Sequence, residues 1–283
     1  MLASGVPATN KRHRANVDLI IVSILCVVIG GLAGGLAGLL GVGGGIVIVP
    51  ALVALFLARG VGADVAMHLA LGTSLASIAF TSLASIRAHH ARGAVRFDIG
   101  RWLAPGLLLG AALAGFAAHQ LSGGFLKTLF GMCALLIGLN LLRSSGLTPR
   151  PEQPIGHPRL LGGGALIGLA SGLAGIGGGS LTVPFLSHYG VPMVQAIGTA
   201  ALGGLPIALG GTLGYVFSGW HAAGLPSGAL GYVDLWALLL IVPTSVLAAP
   251  FGAKLAHRLD TRVLKRVFAL FLIVIGAWMV WRA

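Results

Sequence analysis

Charge is scarce in this chain. Only 8% of its 283 residues are Asp, Glu, Lys or Arg, and just six of these are acidic; an ordinary soluble domain carries roughly 25%. That scarcity excludes a soluble globular enzyme. Runs without any charged residue extend over 19–58, 65–86, 102–126, 160–233 and 235–253, and several exceed the roughly 20 apolar residues that cross a bilayer. Cysteine is scarce too: Cys26 and Cys133 lie inside apolar runs with no CxxC or Cys/His grouping, so they read as small hydrophobes with no zinc or redox site. There is no HExxH, paired-carboxylate or nucleotide-loop pattern. His68 and Ser74 are too far apart in helical rotation, about 600°, to form a nucleophile and base. No enzyme activity, cofactor or metal is expected.

Glycine, by contrast, is abundant, with 46 copies but no Gly-X-Y period. In apolar segments such small residues point to closely packed transmembrane helices. The net charge of +12 raises the question of nucleic acid. Its Lys and Arg sit in short connections between apolar runs, where cytoplasmic retention of positive charge accounts for them.

The chain is duplicated. Gly-Leu-Leu-Gly-Val-Gly-Gly-Gly-Ile-Val-Ile-Val-Pro at 38–50 returns as Gly-Leu-Ala-Gly-Ile-Gly-Gly-Gly-Ser-Leu-Thr-Val-Pro at 172–184. Upstream, Gly30, Gly34 and Gly38 match Gly164, Gly168 and Gly172. Downstream, Leu71-Gly72-Thr73-Ser74 matches Ile197-Gly198-Thr199-Ala200, and Gly93, Val95 and Pro105 match Gly231, Val233 and Pro243. The expected organisation is an N-terminal tail (1–17, cytoplasmic or flexible), a first transmembrane repeat (18–145), a proline-bearing linker (146–159) and a second repeat (160–283). Each half holds four apolar segments, the first broken by glycine. The fold class is therefore an all-α polytopic membrane protein of two homologous four-segment halves, with Gly-broken or re-entrant first segments, a duplication typical of secondary transporters.

Counting Lys and Arg does not settle how the first segments run. Matching connections nonetheless carry opposite bias: 87–101 is basic where 218–231 has no Lys or Arg, and 119–127 has one basic residue where 254–266 has five. Mirrored bias favours inverted repeats.

The triplets Gly43, Gly44, Gly45 and Gly177, Gly178, Gly179 interrupt apolar segments, at a cost of about 1 kcal/mol per glycine in a helix interior. Non-helical backbone at membrane depth survives only when buried in protein or facing a water-filled cavity. The segments resuming at Ile46 and Ser180 would present unpaired amides and the positive end of a helix dipole, an anion site without a charged side chain. The i, i+4 glycines at 30, 34 and 38 read as a packing stripe instead.

Polar residues near the breaks are the next candidates for the substrate site: Thr73, Ser74, Ser180, Gln195 and Thr199, with Thr182 close by. Each hydroxyl could equally bond its own preceding turn. His68, near the start of its span, reads as interfacial or as a proton-coupling group. Arg87, His89, His90 and Arg92 form a topology signal, and Asp98 and Asp234 are unmatched in the repeat.

Both glycine motifs (43–50 and 177–184), His68-Leu-Ala-Leu-Gly-Thr-Ser74 with the basic stretch to Val95, Gln195-Ala-Ile-Gly-Thr199 and Gly231-Tyr-Val-Asp234 together resemble the sulfite exporter TauE/SafE family, also grouped as toluene sulfonate uptake permeases. The resemblance implies a multi-pass plasma-membrane permease of bacterial inner-membrane type. It would move small sulfur-containing anions such as sulfite or organosulfonates, often outward, without ATP or a prosthetic group. It carries over to the two triplets, Thr73, Ser74, Gln195 and Thr199. Arg96 replaces the usual acidic residue, and 218–229 is long and uncharged. The partners expected are the anion and the lipid bilayer, with a homodimer allowed. The competing readings are an anion channel and a non-transporting membrane assembly protein.

Overall fold

The computed structural model describes residues 8–40, 43–143, 151–256 and 261–282. Ten helices are described. The first half contributes α1 (Ala8–Leu40), α2 (Gly45–Ala58), α3 (Ala63–His90), α4 (Phe97–Ala118) and α5 (Gly123–Arg143). The second contributes α6 (His157–Ala174), α7 (Gly179–His188), α8 (Met193–Ser218), α9 (Leu235–Ala256) and α10 (Thr261–Trp281). A two-residue ladder of β1 (Ala229–Leu230) and β2 (Val233–Asp234) precedes α9. Six helices are long and apolar enough to cross a membrane. Their large exposed side chains, such as Leu109, Leu113, Leu136 and Leu247, are what a chain bathed in lipid presents outward. The protein is an all-α polytopic membrane protein.

Each Gly-broken segment divides into two helices, so four segments per half become five helices. The second piece of each is short. At 1.5 Å per residue, the 14 residues of α2 reach about 21 Å and the 10 of α7 about 15 Å, well below the hydrocarbon thickness of about 30 Å. The chain ahead of α1's apolar run is already helical, from Ala8.

Each half's first helix packs along the fourth helix of the other half, α1 on α9 and α6 on α4, while α3 meets α8 and α5 meets α10. Exchanging the halves maps these pairings onto one another. Glycine explains how close the backbones come. A Cβ on Gly30 or Gly34 would strike Ile241, Thr244 or Ser245 of α9, and one on Gly164, Gly168 or Gly172 would strike Leu103, Leu107 or Ala111 of α4. The i, i+4 stripes are helix-packing surfaces.

Helix directions follow from the same contacts. In the α5/α10 pair Gly131 faces Gly276 and Gly138 faces Ala269; in the α3/α8 pair Leu75 faces Gly211 and Ser82 faces Gly204. Both equivalent pairs are antiparallel. α2 ends where Arg59 reaches Asp234 at the head of α9, 3.9 Å away, which is the end where α1 also begins. α7 ends at Tyr189, whose carbonyl accepts from the Gln153 amide just ahead of α6. Each broken segment thus starts and ends at the same end of the helix bundle.

Candidate functional site

The two glycine breaks meet. An added Cβ on Gly43 would lie 3.0 Å from the Gly177 Cα, and one on Gly45 would strike the carbonyl oxygen of Gly175. Backbone geometry at both breaks depends on glycine. Gly43 has φ +73° and Gly175 φ +60°, left-handed values that a side chain resists. At Gly175 the chain leaves α6 through a Schellman turn, with the Ile176 amide donating to Ser171 and the Gly175 amide to Gly172. Gly44 and Gly178 then cap α2 and α7 without any side-chain hydrogen bond. The first amides of both short helices therefore have neither an intrahelical partner nor a capping side chain.

Beside this crossing lies a cleft of about 40 Å³, lined by Gly43 and Gly177–Gly179 at the breaks and by Ala37 and Gly38 of α1. Ile78, Thr81, Ser82, Ser85, Ala88 and His89 of α3, Ala200, Ala201 and Gly204 of α8, and Ala249 of α9 also line it. Thr81, Ser82, Gly177–Gly179 and Gly204 are buried, whereas Ser85, Ala88 and His89 are half-buried, so the cleft opens toward the C-terminal end of α3. Among the described residues, its walls carry no carboxylate. The volume is far below the roughly 300–1,000 Å³ of drug-sized pockets and suits a body of a few atoms.

Not all the candidates from the sequence reach this cleft. Of the eleven, Gly43, Gly177, Gly178 and Gly179 line it, and Gly44 and Gly45 form the same crossing. Ser180 follows directly; its hydroxyl is buried and unpartnered, as is that of Thr182 two residues on. The other four are engaged elsewhere. Ser74 Oγ donates to the Gly175 carbonyl at 3.0 Å, holding the second break from across the halves. Thr73 Oγ1 accepts the Asp234 amide at 2.9 Å, and Thr199 Oγ1 accepts the Arg96 amide at 3.1 Å. These two bonds are repeat-equivalent. Gly72 and Gly198, just before them, let the other half's Tyr232 and Ala94 carbonyls approach. Gln195 Oε1 accepts from Arg96 Nη1 at 3.2 Å. That places Gln195 at the head of α8, where Asp98 and Glu152 also bind Arg96 and hold its guanidinium above its usual range, chiefly through their side-chain hydrogen bonds.

His68 is buried and away from the cleft. Its Nδ1 lies 2.7 Å from the Asp64 carbonyl and its Nε2 2.8 Å from the Ala118 carbonyl, and its ring lies against Tyr232 with centroids 4.8 Å apart. Asp234 caps α9 by accepting the Ala237 amide at 2.8 Å.

Sequence reasoning missed the α3 wall. Its signal was present: Ser74, Ser77, Thr81 and Ser85 recur every three or four residues through an apolar helix, a hydroxyl stripe on one face. Ser77 and Thr81 bond carbonyls of their own preceding turn; Ser82 and Ser85 line the cleft.

Half-length helices meeting end to end beside a small cleft, inside a bundle of spanning helices, define a membrane transporter. The chain belongs to the sulfite exporter TauE/SafE family, whose family model matches residues 25–279. It is 37% identical to a "Probable membrane transporter protein" of Haemophilus influenzae, over 89% of this chain and 96% of that protein. A Xylella fastidiosa protein of the same description is 31% identical, over 90% of this chain and 93% of its own length. A Bacillus subtilis protein so described, YunE, is 27% identical over 91% and 97%. No solved structure matches the chain.

Proposed function

We propose that the protein is a secondary transporter of small sulfur-containing oxyanions, sulfite or a simple sulfonate, working by alternating access between two inverted repeats. The observation that carries this reading is the contact of Gly43 with Gly177. It puts two helix N-termini with unsatisfied amides at one point beside a cleft without carboxylates. Oriented amides and the helix dipole favour an anion there, and dry surroundings strengthen the attraction. The antiparallel α3/α8 and α5/α10 pairs support the inverted arrangement, since a two-fold axis lying in the membrane reverses equivalent helices.

The two short helices contribute unequally. α2 opens on Ile46 and Ile48, both packed in the core, and α7 on Ser180 and Thr182 at the equivalent positions, both buried and without partners. An orphaned buried hydroxyl costs about 1–3 kcal/mol, and an oxyanion seated on α7 would relieve that cost. Ser74, Thr73 and Thr199 act through the backbone they hold, and Gln195 through the Arg96 side chain. His68 likewise ties the head of α3 to the Ala118 carbonyl at the end of α4.

The cleft mouth faces the cytoplasm in a bacterial inner membrane. Helix ends and connections on that face carry Arg87, Arg92, Arg96, Arg101, Arg143, Arg159, Lys254, Arg262, Lys265 and Arg266. The opposite face carries Arg59, Lys127 and Arg282, together with Lys11, Arg12 and Arg14 at the start of α1, which this reading places away from the cytoplasmic side expected for the tail. An anion leaving a negative-inside cell gains about 2.3 kcal/mol per charge per 100 mV, so export needs no coupling ion. Labelled sulfite flux in proteoliposomes tests this: the carrier shows saturation and counterflow. Flux that never saturates makes the protein a channel, and no flux above empty vesicles ends the transport reading for sulfite.

A further inference from the structure

The repeat equivalences locate a second mouth. Ser85, Ala88 and His89, which wall the open cleft, correspond to Gly211, Gly214 and Tyr215 of α8, and Ala201 corresponds to Leu75 of α3. Ala37 and Gly38 correspond to Ser171 and Gly172. At the first set of positions there is space. At the second there is protein: the Leu75 side chain lies against Gly211, and Tyr215 is the largest fully buried side chain. The Tyr215 hydroxyl donates to the Gly172 carbonyl at 3.4 Å. The Tyr232 ring backs it edge-on, with centroids 6.4 Å apart, and the Tyr232 hydroxyl is itself 3.0 Å from His119 Nδ1.

One observation at this closed end points to water or solute. Ser171, beside Gly172, is 1% exposed and its hydroxyl has no partner. Its equivalent, Ala37, carries no polar group and sits on the open side. A hydroxyl left unpaired in this state is explained if the place it faces becomes hydrated in another.

We infer that Tyr215, together with the Leu75 side chain over Gly211, is the closed gate of the transport path's second mouth, leading past Gly172 and Ser171 to the face opposite the open cleft. When the protein changes state, Tyr215 leaves the Gly172 carbonyl and this mouth opens while the His89 end closes. The inference rests on the alternating-access reading above. In the structure His89 and Tyr215 occupy equivalent positions, one half-buried at an open mouth and one sealed.

The test is thiol labelling of sealed membrane vesicles of either orientation with an impermeant reagent, after replacing Cys26 and Cys133 by Ala. Ser171→Cys is nearly isosteric and reports the closed mouth; Ala88→Cys reports the open one. Ser171→Cys should react slowly from the face opposite the cleft. Adding Tyr215→Ala should speed that reaction about tenfold, as expected when a minor open state becomes the major one. Tyr215→Phe, which keeps the ring and loses only the bond to Gly172, should speed it less. Labelling of Ser171→Cys that ignores both Tyr215 changes, in protein that still elutes as a single species, overturns the gate. So does fast labelling of Ser171→Cys with Tyr215 intact. Sulfite flux in the same vesicles separates the two ideas. A gate that responds as described in a protein whose flux never saturates leaves Tyr215 in place and removes the carrier reading. Saturable flux with labelling indifferent to Tyr215 does the reverse.

Discussion

The two glycine breaks have matching caps and different neighbours. Each begins a short helix on a glycine cap in the right-handed region, Gly44 with φ −67° and Gly178 with φ −56°, and each abuts the other. The first continues into Ile46 and Ile48, the second into Ser180 and Thr182. The first is packed against Ala33 of its own half's α1, whereas the second is packed against Gly203 and Gly204 of α8. Duplication supplied a paired architecture, in which each break is buried against the other, as non-helical backbone at membrane depth requires burial in protein or a water-filled cavity. Divergence of side chains then gave one copy apolar packing and left the other with free hydroxyls.

Changes at the breaks themselves should have the largest effect. Gly178→Val places methyl groups against the α8 backbone, where even a Cβ lies 3.1 Å from the Gly204 nitrogen. It should abolish sulfite flux while the protein still reaches the membrane, and Gly178→Ala should reduce the flux less. Gly44→Val, which presses on Ala33, should also abolish it. Flux retained in both valine variants would remove the breaks from the mechanism.

Next come the positions where the breaks differ. Losing one hydrogen bond to a charged ligand is worth about 1.5–3 kcal/mol. Ser180→Ala should therefore raise the half-saturating sulfite concentration by about tenfold or more. Ile46→Val should leave that concentration unchanged and lower only thermal stability. A shift of equal size in both would show that the copies share the anion evenly.

The equivalent threonines probe the symmetry in a different way. Thr73→Val and Thr199→Val each leave a backbone amide without its acceptor. Each should destabilise the fold by about 1–3 kcal/mol, visible as a lower melting temperature, with the buried Thr73–Asp234 bond the more costly of the two. The smallest effect belongs to the exposed Arg96 cluster. Arg96→Gln breaks ion pairs to Asp98 and Glu152 that are worth about 0–1 kcal/mol at a surface, and it should leave flux near wild type.

What could be read in the amino-acid sequence was backbone chemistry. Glycine declares itself by position: the triplets marked the breaks, and the stripes at 30, 34 and 164, 168, 172 marked the α1/α9 and α6/α4 contacts, while Gly38, read as part of the first stripe, lines the cleft. Hydroxyls do not declare their partners. Thr73 and Thr199 stood beside glycines in matched motifs, yet whether each faced an anion, its own preceding turn or another helix's amide depended on tertiary contacts more than 100 residues away in the chain. His68 was equally open, because its two carbonyl partners come one from its own helix and one from the end of α4. The cleft wall at Ser82 and Ser85 was visible only as a hydroxyl period, and Tyr215 carried no local signal, since its role follows from comparing it with His89.

The most direct measurement of the central claim is equilibrium binding of sulfite to the purified protein in lipid nanodiscs, by titration calorimetry, with wild type beside Gly178→Val. The account predicts one saturable site per chain in the wild type and no detectable binding in a variant that remains monodisperse. Equal binding by both proteins would place the anion somewhere other than where the two glycine breaks meet.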